Sequence, residues 1–134
     1  MVATLYRTIL PVTDIDAAAA FYGEVLGEPG ERVSRGRHYF GAETGGAILA
    51  CYDPKADGDA LGAGWHFHSH QYLYFSVEDL AATHAACARA GARDITTIKA
   101  MPWGETQFYA LDPFDTPISF VQAGTEFTGR AAAG

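Results

Sequence analysis

The feature that most limits how this chain can fold is an internal repeat. Sliding the sequence by 65 residues sets Leu10, Val12 and Asp14 over Phe75, Val77 and Asp79, with Ile15 over Leu80. Each half then reads as strand, acidic cap, helix and Gly stop, and so regular a duplication in a short chain signals one supersecondary unit used twice.

Turn and periodicity signals fill in each unit. LYRTILPV (5 to 12) is a strand, and Asp14 caps a helix over IDAAAAFYGEVLG. Spacings of three and four place Ile15, Ala18, Ala19, Tyr22, Val25 and Leu26 on one helical face, with Gly27 as the stop. GERVSRGRHYFGAE and AILACYD read as strands joined by turn chemistry at Thr44, Gly45 and Gly46. Residues 53–70 have no period and read as a linker, with Asp57 and Asp59 solvated because no later bidentate Glu completes a calcium loop. YLYFSVEDLAATHAACARAGA restarts the pattern, and QFYALDPFDTPISFVQ supplies two strands around a DPFD turn. The tail from Ala123 is expected to be loosely held. The prediction is an α+β chain of two βαβββ modules: one domain over residues 1–134, module one at about 5–52, linker 53–70 and module two at about 71–124.

With 134 residues, 49% of them hydrophobic, the chain can bury one core. A formal charge of -7 with nine Lys plus Arg argues against a nucleic-acid or anionic-membrane partner, either of which needs a basic stripe. MVATLYRT lacks a signal-peptide pattern and no long apolar run follows, so a soluble, cytoplasmic protein is expected. Cys51 and Cys87 sit in apolar stretches without CxxC spacing and read as small buried thiols. His38 and His84 read as surface positions on a strand and a helix.

PVTDIDAAAAFYGEVLG resembles the opening signature of the vicinal oxygen chelate proteins, the family of glyoxalases, bleomycin-resistance proteins and extradiol dioxygenases. FSVEDLAATHAACARAGA followed by FYALDPFDTPISFV resembles their second half, so the likeness runs from about Leu5 to Phe127. It implies two modules whose sheets form a cupped mixed sheet around a ligand and, in the enzymes, a divalent metal. It implies too that a His near the start of each module's first strand and a Glu in the final strand hold that metal. Those positions carry Arg7, Tyr72 and Ser119 here. Arg keeps its proton and repels a cation, so no metal ligand and no cofactor is assigned.

Alternation in YLYFSV sends Leu73, Phe75 and Val77 to the helix side and Tyr72, Tyr74 and Ser76 to the cup, with Arg7 on the same parity in module one. Gln107 and Tyr109 turn inward by the same rule and the family pattern, and Trp103 on the MPWGE loop is placed to close the mouth over a ligand or to serve as a hydrophobic plug or dimer contact. The expected ligand-binding set is Arg7, Tyr72, Tyr74, Trp103, Gln107, Tyr109 and Ser119, a mixture suited to a polar aromatic or carboxylate-bearing small molecule.

Two functions remain open at this point. One is a metal-free binding protein similar in principle to the bleomycin-resistance branch. The other is an enzyme: a glyoxalase-like isomerase or dioxygenase using a non-standard metal site built from His66, His68 or His70, or metal-free chemistry at Tyr72, Tyr109 or Arg7. The resemblance also implies a homodimer.

Overall fold

A computed structural model describes residues 2–60 and 71–129. The chain divides into two compact units, Met1–Ser69 and His70–Gly134.

The first unit runs β1 (Arg7–Pro11), α1 (Ile15–Leu26), β2 (Glu31–Ser34), β3 (Arg37–Phe40) and β4 (Ile48–Tyr52), with a 3-10 turn at Ala42–Thr44. Its four-stranded sheet has the order β1-β4-β3-β2, with β1 parallel to β4 and the other neighbours antiparallel. The second unit repeats the plan with β5 (Leu73–Val77), α2 (Leu80–Ala90), β6 (Lys99–Ala100), β7 (Thr106–Leu111) and β8 (Pro117–Gln122), in the order β5-β8-β7-β6. The architecture is the predicted α+β pair of βαβββ modules.

Both helices start and stop as the repeat dictates. The Asp14 carboxylate accepts a hydrogen bond from the Ala17 amide and Asp79 accepts one from Ala82, each at 3.0 Å, which satisfies a backbone donor that the helix itself leaves free. Gly27 and Gly91 end the helices in the left-handed region, at φ 72° and 88°. The buried face of α1 is Ile15, Ala18, Phe21, Tyr22 and Val25. Spacing alone favoured Ala19 and Leu26 over Phe21, but the larger ring takes the sheet-facing position, edge-on to Tyr22 with centroids 5.0 Å apart. In the second unit Phe120 stacks between Phe75 and Phe108 at 5.3 Å each, and the His84 ring meets Phe108 edge-on.

Three further expectations give way to longer-range bonding. His38 is buried: its Nδ1 accepts from Arg32 Nε at 3.3 Å, which leaves Nε2–H to donate to the Pro29 carbonyl at 2.9 Å. Asp57 is largely buried as well, accepting from the Ser34 hydroxyl, the Gly36 amide and the Arg37 guanidinium, so residues 53–60 fold back on the β2–β3 hairpin. Residues 123–127, after β8, are tied down rather than loose, and the end of the tail, 130–134, lies outside the described residues. The Ala123 amide donates to the Val77 carbonyl at 2.8 Å, and the Phe127 amide donates to Glu105 Oε2 at 2.9 Å. Cys51 and Cys87 are buried as expected, and burial pushes the Cys87 thiol up to about 11, which keeps it protonated and unreactive.

Candidate functional site

In the second sheet the face away from the helix carries the polar chemistry, and strand register decides which residues share it. In the second unit Tyr74 pairs with Ser119 and Ser119 with Tyr109, forming one row across β5, β8 and β7. Ser76, Val121 and Gln107 form the next row. Since paired residues point to the same side of a sheet and the period along a strand is two, Glu105 falls on this face as well, two residues before Gln107.

The inner part of the face is a relay of neutral groups. The Ser119 hydroxyl donates to Gln107 Oε1 at 2.8 Å, and Gln107 Nε2 donates to the Tyr109 oxygen at 2.9 Å. Ser119 and Gln107 are each only 1% exposed, so each depends on the other for a partner. Tyr74 lies edge-on to Tyr109 with ring centroids 6.4 Å apart. Hydrogen bonding with Tyr109 first, then burial and the charge of Glu105, push the Tyr74 phenol up to about 12, so it acts as a donor and not as a base.

Beside the relay a pocket of about 450 Å³ opens, walled by Tyr74, Ser76, Val121 and Glu105, with Trp103 and the returning chain at Glu126 and Phe127 completing it. Trp103 is held by its own loop. The Met101 amide donates to the Glu105 carbonyl and the Gly104 amide to the Met101 carbonyl, and the indole N–H donates to Glu105 Oε1 at 2.7 Å. Glu105 is 8% exposed, and its second oxygen takes the Phe127 amide. Glu126 accepts from the Ser76 hydroxyl at 2.7 Å and the Gly124 amide at 2.6 Å. Its own backbone amide, Ser76 and Gly124 hold its carboxyl below the usual range.

The structure therefore brings together Tyr74, Gln107, Tyr109 and Ser119, and sets Trp103 at the neighbouring pocket. Tyr72 is exposed, one residue ahead of β5. Arg7 belongs to the first unit, where its guanidinium lies 5.3 Å from the Tyr6 ring and 5.8 Å from that of Tyr39. Sequence reasoning did not single out Glu105, Glu126 or Phe127. Strand parity was enough to find Glu105, whereas the other two follow the last strand and carry no periodic signal.

The chain matches the family model of the Glyoxalase/Bleomycin resistance protein/Dioxygenase superfamily over residues 4–120. It belongs to that superfamily. A comparison with curated proteins gives no significant match. Among solved structures, the chain is similar to a glyoxalase-related enzyme from Fulvimarina pelagi, with 19% identity, TM-score 0.71, 98% of this chain covered and 100% of the other. It is similar also to TioX from Micromonospora sp. ML1, at 21% identity and TM-score 0.65 over 90% of this chain and 98% of that one. Lactoylglutathione lyase from Agrobacterium tumefaciens gives 21% identity and TM-score 0.64, over 90% and 94%. At these identities the likenesses establish the glyoxalase-superfamily fold and leave the chemistry to the site.

The superfamily's enzymes imply a divalent metal, and the residues at the corresponding positions do not suit one. The Ser119 hydroxyl is committed to Gln107, and the amide of Gln107 is in turn committed to Tyr109. Arg7 carries a fixed positive charge. Among the described residues no three His, Cys, Asp or Glu side chains converge on a point that could hold an ion. His66, His68 and His70 lie outside the described residues. Nor, among the described residues, is any helix long and apolar enough to cross a membrane.

Proposed function

We propose that this member of the glyoxalase superfamily binds a small polar or aromatic molecule at the open face of its second sheet, without the metal used by enzymes of the family. The observation that carries the reading is the Ser119–Gln107–Tyr109 relay: where a metal enzyme needs a carboxylate with free lone pairs, this chain has a buried hydroxyl and amide that satisfy one another. Tyr74, Trp103 and a pocket of about 450 Å³, within the size range of small-molecule sites, supply the binding surface. Tyr72 completes the proposed set on this unit, Arg7 is a separate proposed contact on the first unit, and a homodimer is the assembly the resemblance favours.

The test is elemental analysis of protein purified without a histidine tag, beside a chelator-treated control, together with the melting temperature of both. Folded protein with far less than one metal ion per chain and an unchanged melting temperature is expected. About one Fe, Mn, Ni or Zn per chain, with a melting temperature that falls on chelation, would overturn the reading and direct attention to His66, His68 and His70 as ligands of an enzyme.

A further inference from the structure

The pocket beside the relay has an uneven chemistry that selects among ligands. Its aromatic residues are Tyr74, Trp103 and Phe127, all substantially exposed, and the less exposed Phe75; Trp103 is 46% exposed although its indole N–H is fixed to Glu105. Its charged groups among the described residues are Glu105 and Glu126, and no described Lys or Arg lines it. Both oxygens of each carboxylate accept hydrogen bonds, yet every donor is neutral: an indole, a hydroxyl and backbone amides. Among the described residues neither glutamate has an ion-pair partner, in contrast to Asp16, Asp57 and Asp115, each of which meets an arginine. Two negative charges fixed in an aromatic recess, with no counter-charge among the described residues, define the ligand chemistry the recess favours.

Resting on the binding reading above, we infer that this pocket takes an organic cation, an ammonium or amidinium group carried on an apolar or aromatic body. The ring faces attract a cation through their quadrupoles, most strongly that of tryptophan, and the glutamates add Coulombic attraction where water is partly excluded. An anionic ligand of the same shape meets two like charges. A neutral one gains only the apolar contact. A bare divalent ion is disfavoured for a different reason: hard cations take six or more oxygen ligands, and here each carboxylate oxygen already accepts a hydrogen bond and the other lining side-chain oxygens are the hydroxyls of Tyr74 and Ser76. The acidity of the whole chain, -7, acts in the same direction by raising the local concentration of cations.

Three probes on one aromatic body separate these cases: 2-phenylethylammonium, 2-phenylethanol and 3-phenylpropanoate, measured by calorimetry on the intact chain. The cation is expected to bind about tenfold more tightly than the alcohol, with the carboxylate weakest. The preference for cation over alcohol is expected to shrink in Glu126→Gln and in Trp103→Leu, each checked for an unchanged melting curve. The comparison of probes on the unsubstituted protein needs no variant to fold. Equal affinity for cation and alcohol would overturn the cation inference while leaving the binding reading in place. No saturable binding of any probe would overturn the inference and the choice of this pocket as the binding surface together, whereas the absence of the family metal is decided separately by the metal measurement.

Discussion

The two units use one backbone plan and put opposite chemistry on its open face. In the first, Pro11, Tyr52 and Arg37 hold neighbouring register positions on β1, β4 and β3; in the second, Ser76, Val121 and Gln107 hold the matching positions on β5, β8 and β7. Arg37 stacks over the Tyr52 ring at 4.2 Å and is closed off by Asp57, so the first unit spends this row on its own cohesion. One row over, Ile9, Ala50 and Tyr39 hold the register positions that Tyr74, Ser119 and Tyr109 hold in the second unit. The helix sides differ far less: aromatic and aliphatic side chains pack beneath a capped helix in both. Duplication preserved what folds the module and freed the opposite face to diverge, which is where a ligand site can be built without disturbing the core.

If the helix sides are equivalent, Phe40→Ala in the first unit and Phe120→Ala in the second should each cost about 3–5 kcal/mol, because both rings are almost fully buried. Urea unfolding measures both, and a large disparity would break the equivalence. A smaller effect sharpens the contrast between open faces. Ser119→Ala leaves the buried Gln107 Oε1 without its donor and should cost about 1–3 kcal/mol, much of it recovered when Gln107→Leu is added. A negligible cost for Ser119→Ala would mean that the relay does not hold the second face together.

The smallest effect concerns the first face and acid. Burial raises the Asp57 carboxyl, but hydrogen bonds from Ser34 and Gly36 and the charge of Arg37 outweigh it and hold the group below its ordinary value of 3.8. A group whose folded value is depressed stabilises the fold above its unfolded value, and that contribution disappears as pH falls through the folded one. Melting temperatures taken downward from about pH 5 should therefore decline in the native chain, and decline less in Asp57→Asn. Identical acid profiles would show that Asp57 does not couple to the fold.

How far these features were legible in the sequence depends on how local their causes are. The caps at Asp14 and Asp79, the stops at Gly27 and Gly91 and the alternation in β5 depend on residues within one turn or one strand, and the repeat displays them twice. Parity alone places Tyr74 on its face, parity together with the family pattern places Gln107 and Tyr109, and Ser119 is found by counting from the DPFD turn to the position the resemblance marks. Glu126 bonds to Ser76, fifty residues away, and Glu105 to Phe127, twenty-two away, and no periodic pattern encodes such closures. His38 was misjudged for a related reason: its burial depends on Arg32 and Pro29 meeting its two ring nitrogens, which is visible only once the hairpin is formed. Phe21 shows the limit of spacing itself, since a helical face is about as wide as the residues competing for it.

Residues 123–127, after β8, are joined to the second sheet by a few hydrogen bonds, at Ala123, Thr125, Glu126 and Phe127, and their side chains take no place among the buried hydrophobic residues. A stretch that walls a pocket without supporting the core can be rewritten while the scaffold stays still. In a lineage or in the laboratory, variation over residues 123–127 would retune what the protein holds long before it threatened whether the protein folds.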